Sequence, residues 1–238
     1  MKPPGHPLYT RPFNDTVMWT SIFLIVIFVL RFGHLLRGIP GTILVLSSQI
    51  LSLLIALFLV RRKSKREAGF TGFKPWWLAV VIPSGFLIGL ALAAFNHLIL
   101  PSADWIVAMD RSLLPGEFSD LPFWSTEVVI AFAGGVLTPL AEEFFFRGVL
   151  MTGWRRRLNV WLVLVIQALI FGFLHLAHVG VELFPVFSVD FGLAANILAA
   201  TTMGGFLFGL VRLKSGSIWP AVPAHAAVNL GAAVVFTG

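Results

Sequence analysis

Residues 127–157 read EVVIAFAGGVLTPLAEEFFFRGVLMTGWRRR. The apolar part of this stretch is long enough to cross the roughly 30 Å hydrocarbon core of a bilayer. It closes on Arg155, Arg156 and Arg157, and it carries Glu142, Glu143 and Arg147 in its interior. Length and basic flank together predict a membrane-crossing helix. Ionisable groups at the centre of such a helix cost about 2.5–3.5 kcal/mol each on insertion scales, so their presence points to function.

The same ruler applied outward along the 238 residues yields seven candidate spans: Val17–Leu36, Ile39–Val60, Trp76–Leu100, Glu127–Leu150, Leu158–His178, Phe191–Val211 and Ile218–Phe236. Arg31 and Arg37 interrupt the first, and Arg31 can snorkel to the interface. Composition agrees: 58% of residues are hydrophobic, 12% are charged, and mean hydropathy is +0.90. That balance argues against a cytosolic globule or a disordered chain. The net charge of +6 suggests nucleic acid at first sight, but the basic residues fall in short blocks between apolar runs, and no nucleic-acid partner is expected. With no cysteine there is no disulfide, thiol nucleophile or thiolate metal site. The expected fold is all-α: a polytopic membrane bundle of about seven helices.

Charge alternates between the spans. Lys2 and Arg11 precede the first; Arg61, Arg62, Lys63, Lys65 and Arg66 follow the second; Arg155, Arg156 and Arg157 follow the fourth; Arg212 and Lys214 follow the sixth. The segments after spans three and five hold Asp104, Asp110, Glu117, Asp120, Glu182 and Asp190. The positive-inside rule then predicts a multi-pass protein of the cell membrane, with its amino terminus cytoplasmic and its carboxyl terminus outside. The connection Pro101–Thr126 reads as an ordered external loop or a lid. The expected organisation is residues 1–126 as amino-terminal helices and external loop, and residues 127–238 as the core that carries the chemistry.

Three polar clusters lie in that second part: Glu142-Glu143-Phe-Phe-Phe-Arg147, Phe171-Gly-Phe-Leu-His175 and His225-Ala-Ala-Val-Asn229. Glu143 and Arg147 are i,i+4 neighbours and can pair on one helix face, as can His225 and Asn229. Glu142 is turned about 100° away, without an obvious local partner. Spans four and five should form an antiparallel hairpin turning near Arg157-Leu158-Asn159. Two straight helices would then set Glu142 and His175 at matching depth.

A carboxylate in a low-dielectric site can serve as a general base on water. Imidazoles across the cavity can bind Zn²⁺ or steady an oxyanion, and an Asn amide can donate to the same oxygen. These are the parts needed for amide hydrolysis. Neither a G-x-S-x-G elbow nor an H-E-x-x-H helix occurs. The same groups would also serve a proton-coupled transporter as a relay, and a third reading is a non-catalytic membrane scaffold that binds and regulates a partner. Gln49, His34, Asn96 and His97 read as packing or interfacial groups, His178 as a supporting or interfacial one, and Gly205 with Gly209 as a small-residue helix contact.

The Glu-Glu-x-x-x-Arg, Phe-x-x-x-His and His-x-x-x-Asn clusters, in this order on three helices, resemble the motifs of the CAAX protease and bacteriocin-processing (Abi) intramembrane proteases. Gly216-Ser-Ile218 is also similar to that family. The resemblance covers about Glu127–Phe236 and implies a membrane-embedded endopeptidase whose catalytic core is the last four helices. It implies that Glu142 activates water, that Glu143 and Arg147 support it, that His175 assists or binds metal, and that His225 and Asn229 bind the oxyanion. It leaves Zn²⁺ open, with Glu142, His175 and His225 as candidate ligands. The expected partners are the lipid bilayer and a membrane-associated protein or peptide substrate, whether a prenylated CAAX end or a peptide of bacteriocin-related processing.

Overall fold

The computed structural model describes residues 41–61, 65–100, 132–176, 181–182 and 188–234. The candidate span Val17–Leu36, the loop Pro101–Thr126, His34 and His178 lie outside the described residues. The described chain is helical: α1 (Gly41–Arg61), α2 (Trp76–Ile99), a composite rod, then α5 (Val160–His175), α6 (Phe191–Ser215) and α7 (Ala221–Val234). The rod is built from a π turn (Ala133–Leu137), α3 (Thr138–Glu143), a π-helical stretch (Phe144–Leu150) and α4 (Met151–Trp154). Between α5 and α6 a minimal antiparallel pair, β1 (Val181–Glu182) and β2 (Ser188–Val189), sets Val181 opposite Val189.

Helices therefore stand at the predicted spans two to seven, with differences of length and regularity. Among the described residues only α2 and α6 are long and apolar enough to cross a membrane. Helix α5 has 16 residues and α7 has 14. At about 1.5 Å per residue the described stretches of both fall short of a roughly 30 Å core. The start of α7 is set by its lead-in, where Gly216 takes a left-handed conformation (φ 72°) and ends α6, and Pro220 precedes the first helical turn.

The straight arm expected for span four is also corrected. The Met151 amide donates to the Phe146 carbonyl, five residues back. A π register turns the helix by less per residue, so Phe144–Leu150 departs from the spacing that a regular α-helix would impose.

The helices pack chiefly as two pairs, α2 with α7 and α5 with α6, while α1 lies along the rod. Each pair is drawn together by missing side chains. A Cβ on Gly85 would stand 2.7 Å from the Ala224 carbonyl oxygen; one on Gly89 would overlap the Val228 carbonyl, and one on Gly231 the Phe86 carbonyl. In the other pair, a Cβ on Gly172 would lie 3.0 Å from the Leu198 carbonyl oxygen, and one on Gly205 would lie 3.2 Å from Ala168 Cα. Packing of small residues, rather than the hydrophobic effect, is how helices associate in lipid. Outward faces keep large apolar side chains exposed, including Leu87, Phe95, Leu98, Trp161, Leu169, Phe173 and Met203.

One end of the bundle is stitched by residues 65–74. Glu67 pairs with Arg156 and accepts at its carbonyl from Thr152 and Arg212; the Gly69 carbonyl accepts from the Ile218 amide; Thr71 and the 216–217 turn exchange hydrogen bonds. The basic segments that follow spans two, four and six thus meet in one place.

Candidate active site

The site forms where the rod crosses α7, with α1, α5 and α6 behind it. Glu142 and Glu143 end the α-helical segment between the two π stretches, and both side chains are buried. A π stretch inside a helix is a common mark of a functional region. Arg147 Nη1 donates to Glu143 Oε1 at 2.9 Å, the i,i+4 pair that the spacing predicts. Its Nη2 donates to the Gly205 carbonyl at 2.8 Å, an oxygen that also accepts from Gln167 Nε2 at 2.9 Å. The guanidinium further stands 4.9 Å from the ring centre of Phe171 and 5.5 Å from that of Phe208. A fully buried cation is thus met by a carboxylate, a carbonyl and aromatic faces, which offset its loss of water.

His225, from α7, reaches the same carboxylate. Its Nδ1 lies 2.9 Å from Glu143 Oε1, and its Nε2 lies 4.0 Å from Glu142 Oε2. An ionised carboxylate can only accept, so the proton sits on Nδ1 and Nε2 faces Glu142. Phe208 stacks on the imidazole at 4.6 Å, with the planes 17° apart.

The remaining residues are placed less symmetrically. His175 Nδ1 donates to the Phe171 carbonyl on its own helix at 2.8 Å, which makes Nε2 the unprotonated nitrogen of the neutral ring. The Phe171 ring lies 4.6 Å from the His175 ring and 5.8 Å from the His225 ring, so one phenyl group is flanked by both imidazoles. Asn229 shares the face of His225, but one of its amide N–H groups donates to the Gly134 carbonyl at 2.8 Å, within the first π turn. Among the described residues no group of three His, Asp or Glu side chains is disposed to hold a metal ion. The candidate trio Glu142, His175 and His225 therefore does not fit a three-ligand centre as it stands here.

Sequence reasoning read Gln49 as a packing group, yet its Nε2 donates to Glu142 Oε1 at 3.2 Å. A polar residue in an apolar span was the visible signal. Nothing in periodicity says which neighbouring helix it faces.

Residues 124–231 match the family model described as Type II CAAX prenyl endopeptidase Rce1-like. Over this stretch, a little under half of its length, the chain is similar to the Rce1-like family. Glu142, Glu143, Arg147, His175, His225 and Asn229 all fall inside the Rce1-like region, and Gln49 falls outside it. No curated protein and no solved structure matches the chain.

Proposed function

We propose that this chain is a multi-pass intramembrane endopeptidase that hydrolyses a peptide bond of a membrane-associated protein, with the carboxyl end of a prenylated protein as the substrate class. The observation that carries the reading is the buried row Glu142, His225, Glu143, Arg147, contributed by two helices that cross inside the Rce1-like region. The apolar outer faces of α2 and α5 and the gathering of basic segments at one end support a membrane setting with that end cytoplasmic.

In this reading Glu142 is the base. It takes a proton from water as the water oxygen attacks the carbonyl carbon. His225 faces Glu142 and can accept that proton or return it to the departing amine. Glu143 holds the imidazole by Nδ1, and Arg147 holds Glu143, so the pair positions and does not react. The second N–H of Asn229 is the donor proposed for the developing oxyanion, and His175, whose Nε2 is left as an acceptor, is proposed to assist the base. No step is assigned to a metal. The family match lends no support to a transporter using the same groups.

The test is cleavage, by purified protein in liposomes, of an internally quenched peptide ending in a farnesylated cysteine and three further residues. Wild type is expected to cleave it. Glu142→Gln and His225→Ala are each expected to lower kcat at least about 1,000-fold, in the range that loss of an acid–base group produces. Retained cleavage by a folded Glu142→Gln protein removes the mechanism.

A further inference from the structure

Gln49 lies on α1, outside the Rce1-like match, and only 2% of its surface is exposed. Its amide is used unevenly. Nε2 donates to Glu142 Oε1, while Oε1 is buried with no hydrogen-bond partner among the described residues. The ionised carboxylate dictates that orientation, because it cannot donate and so must meet the NH₂ group. The amide oxygen, bonded to the same carbon as that NH₂ group, is left as an unsatisfied acceptor. Buried acceptors are rarely left so.

Two other buried amides give the comparison. Asn96, which joins α2 to α6, is satisfied at both ends: it donates to the Leu92 carbonyl at 2.8 Å and accepts from Asn196. Gln167 also has an unpartnered oxygen, but its NH₂ group meets only the carbonyls of Leu164 and Gly205. Gln49 combines the two features: contact with the carboxylate and a spare acceptor next to it.

We propose that Gln49 orients the nucleophilic water, accepting one of its hydrogens at Oε1 while the other points at Glu142. The inference rests on the endopeptidase reading above and adds a residue from the amino-terminal helices to its machinery. In the attacking step a lone pair of the water forms the new C–O bond, and the carbonyl π pair moves onto the carbonyl oxygen. The O–H bond facing Glu142 breaks, its electrons stay on the water oxygen, and the proton passes to the carboxylate. The hydrogen held by Gln49 remains on the oxygen, so the amide fixes direction without exchanging a proton. The group it acts on is a water held by two acceptors, a geometry that converts a mobile solvent molecule into a positioned reactant.

The test uses the full chain in liposomes and the same farnesylated peptide. Gln49→Met keeps the length of the side chain and removes both donor and acceptor. It is expected to lower kcat about 100-fold, with KM within about twofold and the thermal midpoint close to wild type. Gln49→Ala, which opens room for a second water, is expected to recover part of that loss. Adding Gln49→Met to Glu142→Gln should bring no further loss, because residues acting on one water are not additive. A kcat for Gln49→Met within about threefold of wild type overturns the inference. So does a loss of kcat that accompanies unfolding in both Gln49→Met and Gln49→Ala, which would make the residue structural. If Glu142→Gln abolishes cleavage while Gln49→Met does not, the inference alone falls. If Glu142→Gln still cleaves, or wild type leaves the peptide intact, the proposed function falls and takes the inference with it.

Discussion

His225 Nδ1 stands 2.9 Å from Glu143 Oε1 across 82 positions of chain, and the same oxygen receives Arg147 Nη1 at 2.9 Å. One carboxylate oxygen therefore sets the direction of an imidazole on one helix and anchors a guanidinium on another. The neighbouring carboxylate, Glu142, faces the opposite nitrogen of that imidazole. In the proposed mechanism the two adjacent glutamates have different duties, and substitution should separate them.

Glu143→Ala removes the partner of a buried cation. Breaking such a pair from one side costs about 3–5 kcal/mol, so the expected result is a clearly lower unfolding midpoint in detergent. Glu142→Gln keeps its amide neighbour and should unfold near the wild-type temperature. Equal midpoints for the two variants would refute this division of roles.

Arg147→Lys keeps the charge but loses the fork. A lysine ammonium cannot serve Glu143, the Gly205 carbonyl and the Phe171 face with the same planar geometry. Loss of one charge-assisted hydrogen bond predicts destabilisation of about 1.5–3 kcal/mol, with activity falling because His225 is less firmly held. Thermal unfolding and kcat measured on one preparation check both parts; a fully active, fully stable lysine variant would count against the assignment.

The α2–α7 seam gives a packing prediction with its own control. A Cβ on Gly89 would run into the Val228 carbonyl, whereas one on Gly134 meets nothing within 4 Å. Gly89→Ala should cost about 1–3 kcal/mol through overpacking. Gly134→Ala should be neutral or slightly stabilising, since alanine is the better helix former by up to about 1 kcal/mol. Melting curves of the two variants decide it, and a harmless Gly89→Ala would mean that the two helices do not approach so closely.

Because the chain has no cysteine, its sidedness can be read with single introduced thiols. Lys65, Arg155 and Lys214 are exposed, and each lies in a basic segment at the stitched end. Cysteines at these three positions should react with a membrane-impermeant maleimide only from the cytoplasmic side, and one at Asp190 only from the opposite side. Labelling of Lys65→Cys and Lys214→Cys from different faces would overturn the proposed topology.

The comparison of sequence with structure is uneven for physical reasons. The Glu143–Arg147 pair was legible because i,i+4 spacing is a local property, and it survives at the border of the π stretch. The clustering of His225 with the glutamates was legible only as an expectation that isolated polar groups in apolar helices seek one another. The hydrogen bond of Asn229 to Gly134 was not, since it depends on a π turn that no periodicity announces. Gln49 was hidden for a different reason. Its residue type marks it as unusual in an apolar helix, but the choice of neighbour depends on packing between α1 and the rod. The tight seam at Gly85 and Gly89 was present as small residues four apart, and their partner helix could not be named without coordinates.

The division of the bundle into an α2–α7 leaf and an α5–α6 leaf has a mechanical consequence. His225 belongs to the first leaf, while Phe208, Phe171 and the Gly205 carbonyl belong to the second. The stacking of Phe208 on His225 therefore bridges the two leaves, while the Arg147 bond to Gly205 ties the rod to the second. If a polypeptide substrate enters between the leaves, parting them would break that stacking. In the proposed endopeptidase, admitting substrate there would unstack the imidazole of His225, and reclosure would restore the contact.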